Sequence, residues 1–433
     1  MPVLLMDIQE EHLDEASFLW GQWNRTLVAP DRELRDAASL EERLLAHLDG
    51  LVVGGEPVAR ELLLPALDSE DPPRISAALW VLLAKSGRIE LANVVERLQT
   101  APEGTRAALQ QALELCERPD VADTLLSLVK PQVASRHCWA LEVLGARGQL
   151  PRDLVVELLG HPDGRVVVAA LRTTPFLSRD VALRELPRLL ADSRPGVKDA
   201  AVIAGMIAGV PAAWETVRKS VAARTKSDPT ALVLLAFGGN GRDLTRLLEC
   251  TDEESMREDA LWALGFSGWA KAAETCLAFM ESTALASLAG EAFSAITGLK
   301  LEGAYVKAPE EEDSLPPLEE DLSRDLELRP EHALPRPAGQ AVSTWWKTAR
   351  TGFAADTRYL RGREFSVDAL LDELEWGPMR RRHMLALEFS VRSRGAWQFQ
   401  TRAFTRRQHA GLAQARELKG RLPAIPFPRM LAW

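Results

Sequence analysis

A motif that recurs about every 30 residues constrains the fold of this chain more than any other feature. Its clearest copies begin with Ala-Leu, carry a second Leu four residues after the alanine, and end in a glycine; they start at Ala78, Ala140, Ala231 and Ala260. Looser copies start at Ala108, Ala170, Ala201 and Ala289. Successive alanines are 30, 32, 30, 31, 30, 29 and 29 residues apart. We call these eight alanines the anchors, and their regularity predicts a repeat protein.

Each repeat has the pattern of two helices joined by a short turn. Residues 158–170 align without gaps on residues 189–201: a Leu-Leu pair ends the first helix, a turn rich in Asp, Pro, Ser and Gly follows, and the anchor lies in the second helix. Asp163, Ser193 and Asp252 are candidate caps for second helices, since their side chains can accept a backbone N–H. The glycine after each anchor is expected to end the second helix.

A hairpin of about 30 residues cannot bury its apolar face alone, so the hairpins are expected to stack on one another. The chain is rich in the helix formers Ala, Leu, Arg and Glu and has only 2 Tyr, which predicts an all-α protein. A basic residue precedes several anchors by three or four positions: Arg74, Arg136, Lys198 and Arg257. With the period and the Leu-Leu turn, this pattern resembles HEAT repeats over about residues 57–303. The resemblance implies a right-handed α-solenoid of HEAT-like helical hairpins with helical caps.

Residues 1–56 are expected to form an N-terminal helical cap on a repeat region of about eight units that spans 57–306. Two stretches in the cap, 12–20 and 40–51, have helical apolar periodicity. Together with the Ala/Leu repeats they resemble an uncharacterised family of bacterial HEAT-repeat proteins, often encoded among type VI secretion genes. That resemblance implies a setting for the protein and no mechanism.

The composition changes after the repeats. Residues 307–338 hold 4 basic and 10 acidic residues and several prolines, which predicts an exposed linker or insertion. Residues 339–433 hold 17 basic and 8 acidic residues, and they are expected to form a basic helical region, with further degenerate repeats as one interpretation. Within it, Gly377-Pro378 is expected to separate helices at 367–376 and 380–389. The family resemblance extends here through Tyr359-Leu-Arg-Gly.

The sequence carries no recognisable catalytic, cofactor or metal motif. The glycines at 238–241 lack the Gly-Lys-Ser/Thr of a phosphate loop and occupy a repeat turn, and the seven histidines include no zinc spacing. We therefore expect no catalytic, cofactor-binding or metal-binding residues, no cofactor, and a protein that is not an enzyme.

Five residues are candidate contacts for a protein partner. Trp80 and Trp262 each lie two residues after an anchor, on second helices, which line the concave surface in HEAT-like stacks. Core packing between hairpins is the alternative for both. Arg380, Arg381 and Arg382 form a basic run that could meet an acidic surface, either a partner's or the chain's own linker. Contact with nucleic acid is a further reading, but the acidic repeats would repel a duplex.

These observations favour a non-enzymatic scaffold or adaptor that binds a protein partner on its concave face. By resemblance, that partner belongs to a type VI secretion system, as a component or an effector. The alternative is a HEAT-like enzyme of the DNA glycosylase or bilin lyase type. The four cysteines are widely spaced, the first residues lack a basic leader, and no apolar run is long enough to span a bilayer. We therefore expect a cytoplasmic protein.

Overall fold

The fold is described from a computed structural model of the chain, which describes residues 5–84, 89–173, 177–224, 229–308, 329–418, 420 and 422–431. The protein is helical, as the composition predicts. The helices of the first half of the chain are α1 (Met6–Thr26), α2 (Leu34–Val58), α3 (Leu64–Ala66), α4 (Pro72–Ala84), α5 (Leu91–Thr100), α6 (Glu103–Leu115), α7 (Asp120–Leu128), α8 (Cys138–Ala146), α9 (Arg152–Leu158), α10 (Gly164–Arg172), α11 (Arg179–Leu189), α12 (Val197–Ala208) and α13 (Pro211–Ala222).

The second half continues with α14 (Pro229–Gly238), α15 (Gly241–Glu249), α16 (Arg257–Ser267), α17 (Ala270–Phe279), α18 (Ala286–Thr297), α19 (Gly339–Ala349), α20 (Val367–Trp376), α21 (Met379–Arg392), α22 (Thr405–Leu418) and α23 (Phe427–Leu431). A π-helical segment (Ala59–Leu63) joins α2 to α3, and short 3₁₀ helices lie at Ala134–Arg136, Glu254–Met256, Gly303–Tyr305, Pro330–Ala333 and Arg350–Gly352. Two short antiparallel strands, β1 (Tyr359–Leu360) and β2 (Arg363–Glu364), pair Tyr359 with Glu364 and Leu360 with Arg363.

All eight anchors lie in helices, one in each even-numbered helix from α4 to α18. Seven of the anchors are buried, and Ala231 is half-buried. A small side chain at this place allows a neighbouring helix to approach closely. The predicted helices at both ends of the chain are also present, including the break between α20 and α21 at Gly377-Pro378.

The chain forms two compact units. The first unit consists of Met1–Val28, Arg32–Trp214 and Leu374–Leu418, and the second of Ala29–Asp31, Glu215–Glu373 and Lys419–Trp433. The sequence-based division cuts the chain into consecutive segments at 56, 306 and 338, whereas each compact unit combines separate segments. The sequence-based division therefore stays a prediction. Most of the acidic segment expected at 307–338 lies outside the described residues.

In the first unit, α1 and α2 pack together and α1 also packs on α4. From α4 onward, each even-numbered helix packs on the next, through α6, α8 and α10 to α12. Each of these from α6 to α12 also packs on the odd-numbered helix before it, which gives the predicted hairpins. The C-terminal helices return to this unit, because α21 packs on α12 and α22 packs on α2.

In the second unit, α14 packs on α16 and α16 packs on α18, with α15 and α17 alongside. The β1–β2 hairpin closes the ends of these helices. The Tyr359 N–H donates to the Gly268 carbonyl (2.7 Å), and the Arg361 N–H donates to the Ala295 carbonyl (2.8 Å). The Arg358 guanidinium donates to the carbonyls of Phe237 (3.0 Å) and Phe266 (2.9 Å). The Tyr-Leu-Arg-Gly motif therefore satisfies backbone carbonyls that helix ends leave open.

Helix termini follow the predicted chemistry in part. Asp163 caps α10, because its side chain accepts the Arg165 N–H (2.9 Å). The prediction was wrong for Ser193 and Asp252, since α12 begins after Gly196 and α16 after Met256, neither with a side-chain cap. Glycines in the left-handed conformation end three of the second helices: Gly209, Gly268 and Gly298.

Candidate functional site

The first unit contains a cavity of about 640 Å³ among its second helices, and we call it the Glu114 cavity. Helices α1, α4, α6 and α8 contribute its walls, together with the segment that precedes α22. Its lining residues are Asn24, Leu27, Val28, Pro72, Pro73, Ser76, Gly104, Ala107, Ala108, Gln110, Gln111, Glu114, Glu142 and Arg402. The volume lies in the range of sites that hold small ligands or parts of larger ones.

Small residues on α6 leave this space open. Gly104, Ala107 and the anchor Ala108 present little side chain towards the cavity. On the facing helix, the Ser76 hydroxyl donates to the Ala108 carbonyl (3.0 Å), which fixes α4 against α6. The anchor pattern that allows close helix packing thus also shapes the cavity floor.

Two carboxylates face the cavity from neighbouring repeats. The Gln110 amide donates to Glu142 Oε2 (3.1 Å). Glu114 is half-buried, and its carboxylate forms no hydrogen bond with any described residue. Burial and, to a smaller extent, the negative charge of Glu142 raise the pKa of Glu114 to about 7, and the positive charge of Arg402 partly opposes this rise. The cavity therefore contains a carboxyl group that changes its protonation state near neutral pH.

A rigid amide pair forms another part of the wall. Gln111 Oε1 accepts hydrogen bonds from Trp20 Nε1 (2.9 Å) and Asn24 Nδ2 (3.3 Å), and Gln111 Nε2 donates to Asn24 Oδ1 (2.7 Å). These bonds hold α6 against α1. They also fix the positions of the polar atoms that a ligand would meet.

The segment before α22 carries the cavity's cation, Arg402, on an exposed position. Nearby residues anchor this segment to the first unit. The Phe404 ring packs against Trp20, Trp23 and Trp80, with ring centroids 6.3, 5.2 and 6.2 Å apart.

Glu41 on α2 anchors the same segment through a buried carboxylate. Its oxygens accept the Thr405 N–H (2.7 Å), the Thr405 hydroxyl (2.6 Å) and the Trp23 indole N–H (2.7 Å). Burial raises the pKa of Glu41, and these hydrogen bonds counteract that rise. The C-terminal region of the chain thus packs on helices of the N-terminal region and places Arg402 beside the cavity.

The structure places Trp80 beside this segment. Trp80 is half-buried against Phe404, and its buried indole N–H has no hydrogen-bond partner among the described residues. Trp262 belongs to the second unit, where it is half-buried and meets the Phe266 ring edge-on, with centroids 4.8 Å apart. Both contacts fit the core-packing alternative, and contact with a partner stays a prediction.

The basic run at 380–382 is largely internal, which corrects the expectation that the whole run is exposed and can meet an acidic surface. Arg380 is half-buried, whereas Arg381 and Arg382 are 4% and 2% exposed. Arg382 donates to the Leu374 carbonyl (2.6 Å) and to Gln408 Oε1 (2.8 Å), and burial lowers its pKa to about 10. Because Arg381 and Arg382 are buried, replacing them with acidic residues would disrupt the fold, so such variants could not report on binding alone. Partner contact by this run stays a prediction.

His383 lies next to this run and joins the cap helix α1 to the C-terminal region. Its Nε2 lies 3.1 Å from the Leu27 carbonyl and its Nδ1 lies 2.6 Å from the Thr401 hydroxyl. Burial lowers the pKa of His383 to about 4, and the positive charge of Arg402 adds to this effect. At neutral pH the ring is uncharged and acts as a structural link.

Sequence reasoning missed Glu114, Glu142 and Arg402. One signal was present: Gln110 and Glu142 lie two residues after their anchors, as Trp80 does. Comparing that position across the repeats would have indicated two of the cavity's polar residues. Nothing in the local sequence of Arg402 indicates that it lies beside α6 and α8.

Across the part of the chain that the structure describes, no group of three or more His, Cys, Asp or Glu side chains is placed to hold a metal ion. The cysteines Cys116, Cys250 and Cys276 are buried thiols, and Cys138 is half-buried. Within the described ranges, no helix has the length and apolar character needed to cross a bilayer.

A scan against protein-family models finds no match for this chain, and a search of curated proteins finds none either. The residues themselves define the class: a helical protein with a period of about 30 residues, compatible with a helical repeat fold.

Proposed function

We propose that this protein is a non-enzymatic scaffold, built as a right-handed α-solenoid of HEAT-like hairpins, that binds a protein partner through its second helices. The regular anchors and the packing of each second helix on the next within each unit support this architecture. Such stacks provide extended binding surfaces. By the family resemblance, the partner is a type VI secretion component or effector in the cytoplasm.

The observation that carries the binding role is the Glu114 cavity. It opens among α4, α6 and α8, the second helices that form the partner face in HEAT-like stacks. A pocket that receives one anchoring side chain is the usual centre of a protein interface. The chain's own segment at 401–405 borders the cavity without filling it, so space remains for a partner side chain.

Photo-cross-linking from the cavity tests this proposal. Gly104 lines the cavity, and a Cβ at this position would have no other heavy atom within 4 Å, so we expect a benzoylphenylalanine at 104 to leave the fold intact. Gly241 in the second unit is equally open and provides the matched control. We expect the 104 variant to cross-link one protein in the native host, and the purified pair to form a stable complex. Equal labelling from 104 and 241, or labelling of no protein, would contradict the scaffold role.

The paired carboxylates favour a second candidate, a HEAT-like enzyme of the DNA glycosylase or bilin lyase type. An acid with a pKa of about 7 beside a second carboxylate can serve as a general acid. Against the glycosylase, no described residue lining the cavity is aromatic, so none could stack on a flipped base. Base release from a damaged duplex that is lost in Glu114→Gln would favour this candidate over the scaffold.

A further inference from the structure

The charges around the Glu114 cavity are unequal. Among its lining residues, Glu114 and Glu142 are the acids and Arg402 is the base. With both carboxylates ionised, the cavity carries one uncompensated negative charge. A single cationic group would neutralise it, and an anion would meet repulsion from both carboxylates.

The unused hydrogen-bond acceptors point the same way. Glu114 forms no hydrogen bond with a described residue, and Glu142 has one oxygen bonded to Gln110. In contrast, Asn24 and Gln111 are occupied by each other and by Trp20. The free acceptors therefore include carboxylate oxygens on two adjacent helices, which a ligand with several N–H donors can satisfy.

We propose that the Glu114 cavity is the binding site for an arginine side chain of the protein partner. A guanidinium carries five N–H donors in a planar fork and can bond both carboxylates, whereas an ammonium is a compact point charge. A volume of about 640 Å³ also leaves room for the residues that flank the arginine. The identity of the partner rests on the proposed scaffold role, but the site itself rests on the cavity.

Proton exchange at Glu114 makes binding depend on pH. The titratable groups that face it are Glu142 from α8 and Arg402 from the segment before α22; α1 and α4 contribute no titratable lining residue. Because a guanidinium pairs with the ionised carboxylate, binding strengthens as the pH rises from 6 to 8. At pH 7 each binding event releases part of a proton, since the ligand lowers the pKa of Glu114.

The test uses the full chain and a defined probe, Nα-acetyl-arginine N-methylamide, in ligand-observed NMR at pH 8. Nα-acetyl-citrulline N-methylamide has the same shape without the charge, and the lysine analogue carries an ammonium. A single side chain is expected to bind with a Kd on the order of 1 mM. We expect citrulline to bind at least about tenfold more weakly. Equal binding of arginine and citrulline, or of arginine and lysine, would overturn the assignment.

Variants locate the probe. Glu114→Gln and Glu142→Gln should each weaken arginine binding about tenfold, because each removes a charged acceptor. Glu117→Gln removes one charge from an exposed position just after α6 and should leave binding unchanged. Far-UV circular dichroism checks that each variant folds. Equal loss of binding in all three variants, or in none, would show that the cavity does not hold the probe.

This proposal and the scaffold role fail separately. If cross-linking from 104 captures a partner but Glu114→Gln binds the probe as well as the wild type, the scaffold role stands and the arginine site falls. If the probe binds through Glu114 but the variant at position 104 cross-links no protein, the cavity is still a site for an arginine side chain, and the proposed protein partner is contradicted.

Discussion

Gln110 and Glu142 occupy the same place in their repeats as Trp80, two residues after the anchor, yet they contribute polar groups where Trp80 contributes a ring. Single positions of a repeat therefore carry the local chemistry, while the anchors carry the packing. All the anchors are alanines and seven of them are buried, so their regular spacing was visible in the sequence alone. The residue type two positions after the anchor differs from repeat to repeat, so the period marks the position but does not predict its chemistry.

Helix caps show the same contrast at single residues. Asp163 was predicted correctly because it stands directly before α10. The prediction that Ser193 caps α12 was wrong, because α12 begins at Val197, directly after Gly196 in the left-handed conformation. The start of a helix depends on backbone geometry as well as on side-chain type, and the sequence gives no direct reading of that geometry.

Titration of Glu114 provides a direct prediction. We expect its carboxyl carbon, followed by ¹³C NMR, to titrate with a pKa of about 7, because burial disfavours the charged form. Titration of the Glu114 carboxyl near the ordinary value for a glutamate, about 4.3, would contradict the geometry of the cavity.

The same shift predicts how stability changes with pH. The folded pKa of Glu114 lies above its unfolded value, so the folded state binds the extra proton between about pH 4.5 and pH 7. Its contribution to stability is therefore lost as the pH rises through this window. Glu114→Gln should remove this loss. Between pH 5 and pH 8, the free energy of unfolding of the variant should therefore shift by about 2 to 3 kcal/mol in its favour relative to the wild type. Urea unfolding at the two pH values, with Glu117→Gln as control, measures the difference; parallel behaviour of both variants would contradict it.

At the scale of elements, the β1–β2 hairpin acts as a cap for helices of the second unit. Gly268 ends α16 with φ of 72°, and a Cβ there would overlap the Tyr359 carbonyl. Gly303 also has positive φ, at 57°, but a Cβ there meets nothing within 4 Å. At both positions a residue with a side chain would have backbone strain, but only at Gly268 would its Cβ also clash with a neighbour.

Alanine substitution separates these effects. Gly268→Ala should lower the free energy of unfolding by about 3 kcal/mol, because it adds displacement of the hairpin to backbone strain. Gly303→Ala should cost about 1 kcal/mol from strain alone. Chemical denaturation of both variants measures the difference. Equal losses would mean that the hairpin is not held at the end of α16.

The segment at 401–405 is the second element whose role depends on a few contacts. Glu41→Ala would remove the buried acceptor of the Thr405 and Trp23 donors. We expect a loss of about 3 kcal/mol and faster amide exchange at 401–408, because buried donors would lose their acceptor. Hydrogen–deuterium exchange measures this, with the exposed neighbour Glu42→Ala as control. Unchanged exchange in Glu41→Ala would show that this carboxylate does not anchor the segment.

At the scale of the whole molecule, local pattern was sufficient for the helices and insufficient for their long-range partners. Period and composition predicted helices at both ends of the chain and in every repeat. They could not predict that Glu41 binds Thr405, 364 residues later, because both residues are ordinary in their local sequence. The same limit hid Arg402 beside Glu114 and the burial of Arg381 and Arg382.

Binding of a protein partner at the Glu114 cavity is tested most directly by isothermal titration calorimetry. The partner identified by cross-linking is purified without the cross-link and titrated at pH 8 into the wild type, Glu114→Gln and Glu117→Gln. We predict about tenfold weaker binding for Glu114→Gln and unchanged binding for Glu117→Gln. Indistinguishable affinities for all three proteins would contradict the account.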